Sequence, residues 1–184
     1  PIPWRFSEKA FHKALNRSLQ RLGIGSVDLY QVHFPGGRLS IEELMHAMAT
    51  SLDEGKIKAA GVSNFSADAM ERAAEVLDKR GFRLTSNQVE YSLIHRSPEV
   101  DGVLEACRKL GVTLIAYSPL GRGLLTGKYG TDRLPAGLRK RQSNFSMENL
   151  ERVTPLIEEL KTTADAYEKT PAQVALNWLA RTPE

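Results

Sequence analysis

Four short apolar-rich segments recur about 25–30 residues apart, with helical periodicity between them. They are VDLYQVHF at 27–34, IKAAGV at 57–62, TSNQVEYS at roughly 84–91 and VTLIAYS at 112–118. That rhythm admits few folds. A strand, a helix and another strand at this spacing form a right-handed crossover, so successive strands lie parallel in one sheet. The fourth segment is almost continuously apolar, as expected of a parallel strand covered on both faces. Four strands are too few to close a (β/α)8 barrel, which takes about 250 residues. An open four-stranded sheet is the alternative architecture.

The helices between and beyond these strands carry local start and stop signals. Ser7 is positioned to cap a helix over 8–22, whose Phe11, Leu15, Leu19 and Leu22 share a face before Gly23 and Gly25 end it. Ser40 and Glu43 predict a capping box for a helix over 40–54. A third helix is expected from Phe65 or Ser66 to Arg80, and a fourth over 98–110 with Pro98 near its first turn. Residues 129–148 are rich in Gly, Pro, Arg and Ser and read as a long, mobile surface loop. Helices are predicted at about 149–168 and at 171–180, the second capped by Thr170 with Pro171 at its start. We expect residues 1–184 to form a single domain.

Composition excludes several function classes. With 184 residues, 41% of them hydrophobic and 26% charged, the chain is long and apolar enough for a packed core. A net charge of +3 is far short of a nucleic-acid-binding signature. The cationic stretch containing Lys128, Arg133, Arg139, Lys140 and Arg141 lacks aromatic interleaving and reads as a solvated loop. No apolar run approaches the length of a membrane span. The one cysteine, Cys107, excludes an internal disulfide and multi-cysteine metal sites and fits a reducing, cytoplasmic setting. The four histidines lack metal-ligand spacing. The opening PIPWRFSEK has no basic start or apolar stretch of a signal peptide, and Pro1 and the closing LARTPE read as cuts within a longer protein.

Chemistry in a parallel α/β protein gathers at the C-terminal ends of the strands. His33 stands there in the first segment, with a ring suited to donating a hydrogen bond to a carbonyl. Residue type alone also permits a histidine satisfied by nearby backbone. Ser63 and Asn64 follow the second segment and, unaided, read first as a turn or cap pair. Gln88 lies in a strand that runs toward a core, which calls for a partner. Tyr117 ends the fourth segment, where ordinary packing is the plain alternative. Ser118, Leu120, Gly121, Gly123 and Leu124 then form a glycine-bearing loop without G-x-G-x-x-G spacing, whose backbone could approach a pyrophosphate. His95, beside Tyr91 and Arg96, is a weaker candidate for substrate contact.

Five motifs occur together: RLGIGSVDLYQVHFP at 21–35, GKIKAAGVSNFS at 55–66, SNQVEYSL at 86–93, LIAYSPLGRGLLTGKY at 114–129 and TPAQVALNWL at 170–179. In order and spacing they resemble the aldo-keto reductases, NADP-dependent (β/α)8-barrel oxidoreductases. The nearest resemblance is to the bacterial and plant-chloroplast branch that includes proteins similar to pyridoxal reductase and to potassium-channel β-subunits. The resemblance implies a partial barrel covering about strands four to seven. It also implies reduction of aldehydes or ketones by hydride transfer from NADPH. The family's catalytic group is Tyr, Lys, Asp and His, and His33 matches the last. The other three are implied to lie upstream of Pro1, so this segment alone is expected to be inactive. By the same resemblance Ser63, Asn64 and Gln88 hold the nicotinamide carboxamide and Tyr117 stacks on the ring. Ser118, Leu120, Gly121, Gly123 and Leu124 would follow the pyrophosphate, with Arg122 and Lys128 adding charge. The partner expected is a small carbonyl compound, with no nucleic acid, membrane or metal. A non-catalytic partial-barrel fragment, or a regulatory subunit that self-associates through exposed sheet edges, is the alternative.

Overall fold

The computed structural model describes residues 7–181. The two terminal stretches, with Pro1 and the last residues of LARTPE, lie outside the described residues. The elements run α1 (Glu8–Leu22), β1 (Val27–Val32), α2 (Ile41–Asp53), β2 (Ile57–Ser63), α3 (Ala67–Asp78), β3 (Leu84–Glu90), α4 (Val103–Leu110), β4 (Thr113–Tyr117), α5 (Met147–Ala166) and α6 (Pro171–Arg181). The sheet has the order β1-β2-β3-β4, so each strand pairs with its sequence neighbour. Its four parallel strands and flanking helices are the arrangement of a partial (β/α)8 barrel.

Local chemistry accounts for most helix ends. The Ser40 hydroxyl accepts from Glu43 N at 3.1 Å while Ser40 N donates to Glu43 Oε2 at 2.7 Å, completing the capping box. Ser66, rather than Phe65, caps α3 by accepting from Ala69 N. Thr170 and Gln173 form a second reciprocal cap around Pro171. One start differs from expectation. Pro98 sits in a separate 3₁₀ turn (Ser97–Glu99), and α4 begins at Val103. Gly102 intervenes at φ 85°, a left-handed conformation that cannot continue a helix, and Asp101 Oδ1 accepts from Val103 N. Residues 129–148 include short 3₁₀ turns at Gly137–Arg141 and Ser143–Phe145.

The chain divides into two compact units, 7–89 with 98–115, and 90–97 with 116–181. In the first, Phe11, Leu15, Met45, Met48, Phe65, Met70 and Leu77 form a core with Ile57, Ala60 and Val62 of β2. Each fully buried side chain of this kind contributes about 1.5–3 kcal/mol. In the second, Leu125 packs with Val153, Ile157, Leu160 and Ala175, and Phe145 packs with Leu124 and Leu150.

β3 departs from strict pairing. Ala60 stands opposite Leu84, yet Gly61 stands opposite Ser86, so Thr85 is an extra residue in a bulge. The Thr85 hydroxyl closes the gap by donating to Ala60 O at 2.7 Å. β4 is half-exposed along most of its length, not covered on both faces as its composition suggested. It is the last strand of the sheet, and its apolar residues lack a fifth strand beside them among the described residues.

Candidate functional site

The bulge decides which side chains of β3 share a face. Leu84 stays in the helix-side core with Asn87, whose amide donates to Phe65 O at 3.0 Å and whose Oδ1 accepts from Phe65 N. Ser86 and Gln88 turn to the opposite face, alongside Gly61 and Ser63 of β2 and Gln31 of β1. This gives a polar row where strict alternation would have put Gln88 with Leu84.

Gln31 is the crossbar of that row. Its Nε2 donates to Val62 O at 3.2 Å and to Ser86 Oγ at 3.3 Å, spanning three strands. Gly61 makes the span possible. A Cβ there would collide with Ser86 Oγ and lie 2.9 Å from Gln31 Cγ. Gln88 Nε2 reaches Gln31 Oε1 at 3.5 Å, a loose bond. Sequence reasoning missed Gln31 and Ser86. The available signal was a glutamine inside an apolar strand, two residues before His33 and therefore on its face.

One step toward the C-terminal ends, Ser63 Oγ donates to Gln88 O at 2.7 Å and accepts from Asn64 Nδ2 at 3.0 Å. Asn64 also donates from Nδ2 to His33 O at 3.1 Å and from its backbone N–H to Gln88 O at 2.9 Å. Its φ of 59° is left-handed, a conformation asparagine tolerates better than most residues. The structure thus brings Ser63, Asn64 and Gln88 together with the backbone of His33. Ser63 and Asn64 form a bonded turn pair at the end of β2. The His33 ring is exposed and stacks on Phe34, with centroids 4.5 Å apart.

The second unit holds the remaining candidates. Tyr117 closes β4, and its carbonyl accepts from Tyr91 N at 3.3 Å. Burial pushes its phenol above the ordinary value, the Glu90 carboxylate adds to the rise and Arg122 opposes it. The loop that follows is dense in left-handed residues: Ser118, Gly121, Arg122, Gly123 and Gly127. Gly121 N donates to Ser118 O at 2.8 Å, and Gly123 N to Leu120 O at 2.9 Å. At Gly121 a Cβ would strike the Ile94 side chain, so close approach as well as φ requires glycine. Leu124 is buried against Phe145 and Leu150, and Leu120 packs beside Leu125. Lys128 is exposed, with its ammonium 5.8 Å from the centre of the Tyr129 ring. Glu90, which sequence reasoning also missed, pairs with Arg122 at 3.7 Å.

Among the described residues no helix is long and apolar enough to cross a membrane, and no cluster of His, Cys, Asp and Glu is placed to hold a metal. The model of the aldo/keto reductase family matches residues 1–184. Aldo-keto reductase yakc [NADP(+)] of Schizosaccharomyces pombe is 40% identical over 172 residues, 91% of this chain and 49% of the relative. The chloroplastic pyridoxal reductase of Arabidopsis thaliana is 35% identical over 179 residues, 96% and 48% of the two chains. Among solved structures, a glycerol dehydrogenase from Gluconobacter oxydans superposes with a TM-score of 0.85 at 31% identity, covering 94% of this chain and 52% of the other. The chain spans about half the length of the curated relatives it matches. With its whole length matched by the family model, the polar row and left-handed loop described above are features of a member of the aldo/keto reductase family.

Proposed function

We propose that this chain carries part of the NADPH- and substrate-binding face of a reductase that converts aldehydes or ketones to alcohols. The observation that carries the reading is the Ser63–Asn64–Gln88 cluster at the C-terminal ends of β2 and β3. A nicotinamide carboxamide requires a donor and an acceptor facing it. The Asn64 amide protons are spent on Ser63 Oγ and His33 O and the Ser63 hydroxyl proton on Gln88 O, so the loosely bonded Gln88 amide, which carries both a donor and an acceptor, is the group that would turn toward a carboxamide. When bound, NADPH would supply the hydride. Asn64, pinned by Ser63 and by His33 O, would orient the carboxamide, and Gln88 would complete the contact. Tyr117, taken with its own unit, ends β4 with a ring suited to stacking on a flat heteroaromatic ring such as a nicotinamide. Ser118, Leu120, Gly121, Gly123 and Leu124 would shape the wall followed by the pyrophosphate, with Lys128 adding charge. His33 would donate from its ring to the substrate oxygen.

The Tyr that protonates that oxygen, with its supporting Lys and Asp, belongs on this reading to the family's segment before the first strand seen here. His33 alone then orients a carbonyl without delivering the reaction. The bacterial and chloroplast branch is the finer assignment, supported by the similarity to chloroplastic pyridoxal reductase. The half-exposed edge strands favour a second reading, in which this chain by itself is a non-catalytic, self-associating fragment. Titration with NADPH, followed by quenching of protein fluorescence, tests the first reading. Saturable binding that weakens in Asn64→Ala and Gln88→Ala supports it, and unchanged binding in both variants would count against it.

A further inference from the structure

The loop after β4 carries a cation, and the end of β3 an anion facing it, that the carboxamide cluster does not use. Glu90, the last residue of β3, keeps its side chain 19% exposed, and its nearest cation is the Arg122 guanidinium, which is 43% exposed. Arg122 adopts φ 57° between Gly121 and Gly123, both also left-handed. A residue with a Cβ adopts that conformation at a cost, and in natural proteins such positions cluster where function requires them. Here the conformation turns a long cationic side chain toward Glu90 from a loop otherwise built of small and apolar residues.

The contact itself is loose. Nη2 and Oε2 are 3.7 Å apart, well beyond the separation of about 2.7–2.9 Å for a charge-assisted hydrogen bond. The pair therefore neutralises charge without locking geometry. Meanwhile the amides of Gly121, Gly123 and Leu125 donate to carbonyls of Ser118 and Leu120. Those three N–H groups are committed to the fold of the loop. The loop's attraction for an incoming anion then rests heavily on the guanidinium, which already faces a carboxylate. Burial is the main reason that the Tyr117 phenol sits above its ordinary value, and the same carboxylate adds to the rise.

We infer that Glu90 is an internal counter-anion for Arg122, and that a dinucleotide's pyrophosphate engages the loop by taking the guanidinium from that carboxylate. This rests on the dinucleotide reading above. Glu90 is thus a positioning residue that sets cofactor affinity through competition. It keeps the guanidinium beside a carboxylate when no anion is present and lowers affinity when one arrives.

The test uses the 184-residue chain as wild type, Glu90→Gln, Arg122→Met, Arg122→Lys and the Glu90→Gln/Arg122→Met double variant, each checked by circular dichroism. NADPH is the probe, read by fluorescence quenching. Trypsin cleavage after Arg122 is a second readout that needs no cofactor. Glu90→Gln is expected to bind NADPH about 2–5-fold tighter and to be cut faster after Arg122 without NADPH, with protection restored on binding. Arg122→Met should bind about 10-fold weaker, Arg122→Lys should fall between, and Glu90→Gln should add nothing in the Arg122→Met background. Weaker or unchanged affinity in Glu90→Gln overturns the inference. So does an equal gain in the presence and absence of Arg122, which would mean a diffuse field effect. If no variant binds NADPH, the dinucleotide reading fails and the exchange with it. The cofactor-free cleavage rates still report whether Glu90 restrains Arg122.

Discussion

The substitution Gly61→Ala probes the polar row where its geometry is tightest. The new methyl would collide with Ser86 Oγ and stand 2.9 Å from Gln31 Cγ and 3.2 Å from Leu29 Cδ1. All three are side-chain atoms, so they can give way, and the overpacking cost falls toward the lower part of its usual range, about 1–2 kcal/mol. Displacing Ser86 Oγ also breaks its 3.3 Å bond with Gln31, a loss of about 0.5–1.5 kcal/mol. Against these, replacing glycine lowers the entropy of the unfolded chain and restores about 0.4–1 kcal/mol. The net expectation is a destabilisation of about 1–2 kcal/mol, or a fall in Tm of about 2–8 °C. Urea and thermal denaturation followed by circular dichroism measure it. Because the first collision is with the hydroxyl, Gly61→Ala in a Ser86→Ala background should recover at least half of the loss. A single variant within about 0.5 kcal/mol of wild type, or a double variant whose losses simply add, would refute the claim that Gly61 is present for the crossbar.

Three further outcomes are expected. Glu42 titrates below the ordinary glutamate value of 4.5, first because of backbone hydrogen bonding at the start of α2 and then because of Arg72. Its contribution to stability is present above the ordinary carboxylate range and is lost as pH falls through the lowered value. Carboxyl-carbon NMR should find the midpoint still low in Arg72→Met, whereas a return to 4.5 would show that Arg72 is the main cause. A steady-state assay with NADPH and simple aldehydes should give no carbonyl reduction by this chain alone, and turnover like that of an intact reductase would sink the assignment of the proton donor to another segment. Sedimentation should show association through β1 and β4, while a homogeneous species of 20.4 kDa at high concentration would argue against it.

The elements most legible in the sequence are those governed by neighbours in the chain. Ser40 and Glu43 are three residues apart and form their capping box through local bonds. The strand–helix rhythm sets the parallel order because short connections leave few alternatives. What escaped the sequence depends on partners that spacing does not reveal. Gln88 was recognisable as a polar residue in need of a partner, but the Thr85 bulge that turns it off the core face arises from pairing with β2. Gln31 and Ser86 lie 55 positions apart and meet only across Gly61. The apolar run of β4 suggested cover on both faces, yet cover is set by what lies beside a strand, and β4 ends the sheet. Glu90 meets its counterpart Arg122 only through the left-handed turn after β4, which residue spacing does not reveal.

The Thr85 bulge also makes β3 unequally tolerant of changes in length. In most strands, losing one residue turns every side chain beyond the gap to the other face. Excising Thr85 instead leaves Leu84 opposite Ala60 and Ser86 opposite Gly61, with the alternation between them regular. Losing a residue between Ser86 and Gln88 would exchange inward and outward sets, sending the glutamine amide toward the aliphatic side and leaving Met70 without the Asn87 amide. Related chains should therefore accept a one-residue deletion at this point of the strand far more readily than at the next three, so that strand length becomes a trace of which face has to stay polar.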